Sequence, residues 1–241
     1  MKARSHKQGS QVIVYDADHI QQPGRHLFDP GHWRRAGAVA GQAPGRGSAL
    51  LLETPFGPAV LRQYLRGGWP ARLSRDRYWF TGFDRSRPLR EFRMLAALTA
   101  DGLPVPEPLA ALCERRGPWY RGWLMTRRIP DVSPLADRLA GGSADSALWH
   151  RTGRVIRRFH DAGIVHADLN ARNILLGADD SVHLVDFDRA RISTGNARAF
   201  AGNLMRLKRS LEKFWPAADR DRFDRCWSDL VSGYGARAEA G

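Results

Sequence analysis

Three polar side chains flank one short apolar region in the second half of the chain. Asp168 and Asn173 lie in the run HADLNARNILL, and Asp186 begins the run DFD. Two apolar segments, 174–176 and 182–185, are joined by the polar turn GADDS, which predicts an antiparallel hairpin. The start of the first strand and the end of the second meet at the same end of such a hairpin. We therefore expect Asn173 and Asp186 to lie close together.

The oxygen atoms at this end of the hairpin suit a hard cation. Mg²⁺ prefers carboxylate and amide oxygens and completes its coordination with water and phosphate oxygens. In phosphoryl transfer, a nearby carboxylate accepts or orients the proton of the attacking hydroxyl, while positioning and charge compensation lower the barrier. Together with the kinase-like spacing of these residues, the arrangement predicts phosphoryl transfer, with Asp168 as the catalytic residue and Asn173 and Asp186 as Mg²⁺ ligands. His166 is expected to brace the loop.

The spacing is that of the catalytic loop of protein-kinase-like enzymes, H-x-D-L-x-x-x-N followed by a short hairpin and D-F-x. The matching residues are His166, Asp168, Leu169, Asn173, Asp186 and Phe187. Ala167 stands where many protein kinases have Arg, Asp188 replaces the Gly of D-F-G, and no Ala-Pro-Glu motif follows. These departures favour a kinase of small molecules or glycolipids over a protein kinase.

The first half of the chain should bind the nucleotide. A glycine-rich run, GQAPGRGS, precedes two strand candidates, ALLLET and AVLRQYL. Gly41, Gly45 and Gly47 are candidates for a flap over the ATP phosphates, and an ordinary surface loop is the alternative. A kinase fold has a cation on the strand after the flap and a carboxylate on the next helix, which nominates Arg62 and Glu91. Arg62 replaces the usual Lys and can bind carboxylate or phosphate oxygens as a fork.

The remaining elements predict the fold class. Helical periodicity is found in RPLREFRMLAALTADG, ALWHRTGRVIRRFHDAG and NLMRLKRSLEKFW, whereas WYRGWLMTRRI is typical of a strand and LPVPEPLAAL of an extended connection. We expect an α+β, bilobal, protein-kinase-like fold with a small antiparallel β lobe and a mostly helical second lobe. The predicted division is an N-terminal segment 1–24, frayed over its first ten residues, then an N-lobe 25–130 and a C-lobe 131–241.

Composition limits the protein class. The chain has 241 residues, of which 43% are hydrophobic, as in ordinary globular proteins. No apolar run reaches the roughly 18 residues of a membrane-spanning helix, and the N-terminus has no apolar signal-peptide region. The two cysteines, Cys113 and Cys226, lack metal-binding spacing, so we expect buried free thiols. The net charge of +13 favours an anionic partner, although an arginine-rich composition without a binding role is the alternative.

The chain is similar to the 3-deoxy-D-manno-octulosonic acid (Kdo) kinases of lipopolysaccharide core assembly over about residues 25–235. Besides HADLNARNILL, the similar stretches are GRGSALLLET, VLRQYLRGG, LSRDRYWFTG, LREFRMLAALTADGLPVPEPLAA, VDFDRAR and NLMRLKRSLEK. That family also has Arg at the position of Arg62. The resemblance implies phosphorylation, dependent on ATP, of the 4-hydroxyl of a Kdo residue on a lipid A precursor. It also implies a peripheral location at the cytoplasmic face of a Gram-negative inner membrane.

The predicted partners are this anionic glycolipid and the anionic membrane surface, with no nucleic acid expected. The segment RQYLRGGWPARLSRDRYWF interleaves arginines with aromatic residues, a composition that suits lipid head groups. Trp79 and Phe80 could instead belong to the core, and charge alone does not exclude nucleic acid. Two other functions stay open: a kinase-like phosphotransferase of the aminoglycoside type, and a basic kinase-shaped binding module without turnover. The presence of Asp168, Asn173 and Asp186 together argues against the module.

Overall fold

The computed structural model describes residues 1–43, 49–65, 76–139, 145–216 and 219–236. These residues divide into two compact units. Unit 1 contains the described residues of Met1–Asp101 and Pro106–Arg128, and unit 2 contains those of Gly102–Val105 and Ile129–Gly241. The sequence division set residues 1–24 apart and cut the chain after residue 130. In the structure, residues 1–24 belong to unit 1 and unit 2 resumes at Ile129. Segment 102–105 also joins unit 2, where the Pro104 carbonyl oxygen accepts a bond of 3.0 Å from the Leu184 N–H.

Unit 1 is built on an antiparallel sheet in the order β1-β2-β7-β8-β5-β4-β3, with β6 paired to β8. Its elements are β1 (Ala3–Gln8), β2 (Gln11–Asp16), a 3-10 turn (Arg25–Phe28), α1 (Pro30–Arg35), β3 (Val39–Ala43), β4 (Ala49–Thr54), β5 (Gly57–Gln63), β6 (Tyr78–Trp79), α2 (Arg87–Ala100), β7 (Pro108–Arg116) and β8 (Trp119–Arg127). Helix α2 packs on β7 and β8. The core on this sheet includes Leu52, Leu109 and Met125, all at most 1% exposed.

Two segments of unit 1 differ from the sequence prediction. The first ten residues are not frayed, because β1 pairs residue by residue with β2. All six side chains of β1 are exposed, so the segment has no apolar alternation from which a strand could be recognised. The prediction of an extended connection over LPVPEPLAAL is also only partly correct. Its second half begins β7, which is buried from Pro108 through Glu114.

Unit 2 is mostly helical. Its elements are β9 (Val132–Pro134), α3 (Leu135–Leu139), α4 (Ser146–Asp161), β10 (Ile164–Val165), β11 (Ile174–Gly177), β12 (Val182–Leu184), β13 (Arg191–Ile192), α5 (Ala197–Phe214) and α6 (Arg220–Gly235). Helices α4 and α6 approach closely at two glycines. A Cβ atom on Gly153 would lie 2.0 Å from the Leu230 carbonyl oxygen, and one on Gly233 would lie 1.9 Å from that of His150. Larger residues at either glycine would therefore force the helices apart.

Several sequence predictions are confirmed by these elements. The predicted hairpin is β11–β12, extended on its other side by β9. The predicted helices correspond to α2, α4 and α5. Cys113 and Cys226 are buried and unpaired thiols. Among the described helices, none combines the length and the apolar character that crossing a bilayer requires.

Candidate active site

The open end of the β11–β12 hairpin brings two of the predicted metal ligands together. Ile174 pairs with Leu184, and the Val185 N–H donates to the Asn173 carbonyl oxygen at 3.0 Å. Asp186 follows directly, so it lies beside Asn173 as the hairpin geometry predicts. Its backbone has φ of +68°, in the left-handed region that residues other than glycine seldom adopt. Such a backbone conformation is typical of functional sites, where the surrounding fold compensates its cost.

His166 connects the loop of Asp168 to the residue before Asp186. Its Nε2 lies 3.0 Å from the Val185 carbonyl oxygen, and its Nδ1 lies 3.2 Å from the Asp168 backbone nitrogen. Because the carbonyl can only accept and the N–H can only donate, the proton must be on Nε2 and Nδ1 must be the acceptor. Burial lowers the pKa of His166, which favours this neutral form. The arrangement matches the bracing role that the sequence suggested, which stays a prediction.

The loop between Asp168 and Asn173 is closed by its own amides. The Asp168 carbonyl oxygen accepts from Asn170 Nδ2 at 3.0 Å and from Asn173 Nδ2 at 2.8 Å. Since the nitrogen of the Asn173 amide is engaged, its Oδ1 is the atom left to coordinate a cation. A carboxylate and an amide oxygen fit Mg²⁺. Mg²⁺ usually completes such a site with water and phosphate oxygens. In the described ranges, no three His, Cys, Asp or Glu side chains are arranged to hold a metal ion by themselves.

Phe187 anchors the chain directly after Asp186. The side chain is 1% exposed, and its ring packs edge-on against His166 with 4.8 Å between centroids. On its other side it stacks on Phe159 of α4 at 5.6 Å. The apolar residue of the DF pair thus holds the backbone of Asp186 against the core of unit 2.

Helix α5 supports the loop from His166 to Asn173 through residues that the sequence analysis did not identify. Asn203 accepts from the His166 N–H at 3.0 Å through Oδ1, and its Nδ2 donates to the His166 carbonyl oxygen at 2.7 Å. Two turns further along the same face of α5, Ser210 Oγ accepts from the Ala171 N–H at 3.1 Å. The sequence carries one weak signal. Asn203 and Ser210 occupy positions of NLMRLKRSLEKF at which helical spacing from Leu207 predicts an apolar residue.

A second buried histidine links this support to two other helices. His160 of α4 lies with Nδ1 at 2.8 Å from the Tyr234 hydroxyl of α6 and with Nε2 at 3.3 Å from Asn203 Oδ1. Its ring also stacks on Phe200 with 4.5 Å between centroids. Burial lowers the pKa of His160 to about 4, so it is neutral at pH 7. The position of the loop therefore depends on packing among α4, α5 and α6.

We expect the stability of the protein to fall as the solution is acidified below pH 6.5. The pKa of His160 is about 4 in the folded state and close to 6.5 when unfolded, so between these values only the unfolded chain binds the extra proton. The free energy of unfolding should therefore drop by about 2 kcal/mol between pH 7 and pH 5 from this residue alone. Urea unfolding of the wild type and of His160→Gln at both pH values measures the effect.

His166 contributes with the same sign, because burial lowers its pKa as well. The wild type should consequently lose more stability on acidification than His160→Gln, and the difference between the two isolates His160. Equal losses in both proteins would contradict the prediction.

Unit 1 pairs the two residues predicted to bind the nucleotide. Arg62 of β5 places Nη2 at 2.7 Å from both carboxylate oxygens of Glu91, on α2. Glu91 is 2% exposed, and the hydroxyl of Tyr64 also donates to it. A buried carboxylate requires such partners, because an unpaired charge in the interior is strongly destabilising. Tyr64 was missed, although its position two residues after Arg62 predicts that both side chains share one face.

Three glycines were predicted to form a flap over the ATP phosphates. Two of them, Gly45 and Gly47, lie outside the described residues, and their role stays a prediction. Gly41 lies in β3, opposite Leu51 of β4.

Comparison with known proteins agrees with this geometry. The chain matches the model of the lipopolysaccharide kinase (Kdo/WaaP) family over residues 31–234. A 3-deoxy-D-manno-octulosonic acid kinase of Stenotrophomonas maltophilia (strain R551-3) is 46% identical over 206 residues, or 85% of this chain and 82% of the relative. The enzyme of the same name from Xanthomonas euvesicatoria pv. vesicatoria (strain 85-10) is 44% identical over 227 residues, or 94% and 90%. The predicted α+β, kinase-like fold class is confirmed. The chain therefore belongs to the lipopolysaccharide kinase (Kdo/WaaP) family and is a phosphotransferase.

Proposed function

We propose that this protein transfers the γ-phosphoryl group of ATP to the 4-hydroxyl of a Kdo residue on a lipid A precursor. The observation that carries the proposal is the hairpin end, where Asn173 and Asp186 meet beside the loop of Asp168. The names of the relatives, Kdo kinases at 46% and 44% identity, support the choice of sugar.

In the proposed mechanism, unit 2 handles the proton and the metal. Asp168 orients the acceptor hydroxyl and takes its proton as the new O–P bond forms, while the bond between the γ-phosphorus and the β–γ bridging oxygen breaks and ADP leaves. Asn173 Oδ1 and the Asp186 carboxylate would hold Mg²⁺, which supplies positive charge to the phosphate oxygens when bound. His166 keeps the backbones of these residues in register through its two hydrogen bonds.

In unit 1, Arg62 is the candidate for contact with the ATP phosphates. Glu91 and Tyr64 hold its guanidinium in one orientation, and a fixed planar fork suits phosphate oxygens. We accordingly propose a nucleotide-binding role for unit 1 and a catalytic and acceptor-binding role for unit 2. The basic charge of the chain supports a location at an anionic membrane surface, here the cytoplasmic face of the inner membrane.

The experiment that tests the function is incubation of the purified protein with Mg²⁺, ATP and Kdo–lipid A, followed by mass spectrometry of the glycolipid. We expect the addition of one phosphate, and phosphorus–proton correlation spectroscopy should place it on O4 of Kdo. A parallel reaction with an aminoglycoside separates the alternative phosphotransferase. Phosphorylation of the aminoglycoside but not of Kdo–lipid A would overturn the proposal.

A further inference from the structure

Helix α5 has an outward face that the catalytic loop does not use. The exposed side chains on it include one line of residues, here called the α5 stripe: Arg198, Met205, Arg206, Arg209 and Lys213. At 100° per residue these five fall within an arc of about 100°, so they lie on one side of the helix. Met205 is 53% exposed, so one large apolar side chain stands among these cations.

The opposite face of α5 is fully occupied within unit 2. Leu207 and Leu211 are at most 1% exposed, and Asn203 and Ser210 hold the catalytic loop. Near the end of the helix, Phe214 lies under the guanidinium of Arg172 at 5.0 Å. The packing of the unit therefore accounts for one side of α5 and gives the α5 stripe no structural task.

The charge of the α5 stripe is not balanced by neighbours. Its four cations make no ion pair within 4 Å in the part of the chain that the structure describes. The one acidic residue of α5, Glu212, pairs with Arg220 of α6 at 3.2 Å. The contrast is clearest with α6, which carries three arginines and three aspartates. Helix α4 is also basic, but two of its four arginines are ion-paired, Arg151 with Asp180 at 3.4 Å and Arg157 with Asp161 at 2.7 Å.

From this arrangement we infer that the α5 stripe is the surface by which the protein docks on anionic phospholipid head groups. A line of cations on a protein surface is attracted to the negative potential of an anionic bilayer, and Met205 adds an apolar side chain to that contact. The stripe is about 22 Å long, from a rise of 1.5 Å per residue, and thus spans several head groups. The preference for lipid over nucleic acid rests on the proposed function, whose acceptor lies in such a membrane.

The surface predicted from the arginine- and aromatic-rich segment 62–80 carries less unpaired charge than the α5 stripe, as far as its described residues show. Trp79 is 59% exposed there, beside a cavity of about 130 Å³ lined by Arg77, Arg116, Trp119, Tyr120 and Arg121. Arg116 lies 3.2 Å from Glu114, and Arg121 lies 2.7 Å from Asp76. Two of these three arginines are therefore already neutralised. Because Trp79 is exposed, this surface is the alternative docking site that the test has to exclude. Residues 66–75 of the segment lie outside the described ranges.

The test is sedimentation of the full-length protein with phosphatidylcholine vesicles that contain or lack phosphatidylglycerol. We expect binding only to the anionic vesicles, weakening as salt rises. Arg206→Glu combined with Arg209→Glu should reduce the affinity more than about tenfold, because two attractive charges become repulsive. The neutral pair Arg206→Gln and Arg209→Gln should show a smaller loss. Circular dichroism confirms that each variant is folded.

The matched control reverses the same number of charges elsewhere in unit 2. Arg154→Glu combined with Arg225→Glu changes two exposed arginines of α4 and α6 and should bind vesicles nearly as the wild type does. An equal loss in the control would reduce the effect to net charge and overturn the assignment. The assignment would also be overturned if the α5 variants bound vesicles as the wild type does, or if only Trp79→Ser lost vesicle binding. Binding of duplex DNA in place of vesicles would identify a nucleic-acid partner instead.

The kinase assay separates this inference from the proposed function. With a water-soluble Kdo acceptor that carries no lipid, the α5 variants should retain wild-type turnover. If even the wild type phosphorylates no Kdo acceptor but still binds anionic vesicles through the α5 stripe, the proposed function fails and the docking surface stands. If the wild type phosphorylates the Kdo acceptor but does not bind anionic vesicles, the docking surface fails and the proposed function stands.

Discussion

Asp168→Asn should lower the rate of phosphoryl transfer about a thousandfold and leave Mg²⁺–ATP binding nearly unchanged. The reason is that Asp168 shapes its loop through main-chain atoms. Its N–H donates to His166 Nδ1, and its carbonyl oxygen accepts from the amides of Asn170 and Asn173. An asparagine keeps all three hydrogen bonds and removes only the carboxylate that would take the proton.

Single-turnover kinetics and calorimetric titration with Mg²⁺–ATP measure the two quantities separately. Asp179→Asn is a suitable control, because it makes the same change of charge at the far end of the same hairpin and keeps the oxygen that accepts from the Ser181 N–H. It should behave as the wild type does. Unchanged turnover in Asp168→Asn would remove Asp168 from the role of proton acceptor.

Asp186→Ala should weaken the binding of Mg²⁺–ATP by about tenfold to a hundredfold, the effect of losing one strong charged contact. Transfer should fall further, because the metal would no longer be held where charge develops. Calorimetry at several Mg²⁺ concentrations distinguishes a loss of metal from a loss of nucleotide. Affinity that is independent of Mg²⁺ in the wild type would contradict the assignment.

Backbone strain complicates this substitution and requires its own control. Asp186 has φ of +68°, where an alanine is disfavoured by its Cβ atom. Asp131 has φ of +48° and lies outside the site, so Asp131→Ala reports the cost of the same strain. It should lower the melting temperature and leave nucleotide affinity unchanged. Asp186→Asn, which tolerates the left-handed region, should lose affinity with less loss of stability.

The sequence predicted the parts of the site that are local along the chain. Asn173 and Asp186 are only 13 residues apart, and two apolar strands with a polar turn determine how they meet. Arg62 and Glu91 were nominated from the kinase pattern of a cation on a strand and a carboxylate on the helix that follows, and the structure pairs the two side chains. Period, turn chemistry and spacing carry information over such distances.

The supporting residues could not be predicted for a physical reason. Asn203 is 37 residues from His166, and His160 is 74 residues from Tyr234, so these contacts exist only once the helices have packed. Strand β1 escaped recognition differently, since its six exposed side chains carry no apolar pattern and backbone bonds to β2 hold it in place. Sequence periodicity indicates which side chains are buried. It carries no information on contacts between distant helices or on backbone hydrogen bonds between strands.

The catalytic loop is held mainly by its peptide groups, and this has an evolutionary consequence. Asn203 grips the amide and carbonyl of His166, while Ser210 holds the amide of Ala171. None of these bonds involves the side chain of Ala167, whereas the side chain of Arg172 packs over Phe214 of α5. Sequence drift at position 167 should therefore leave the fold of the loop unchanged.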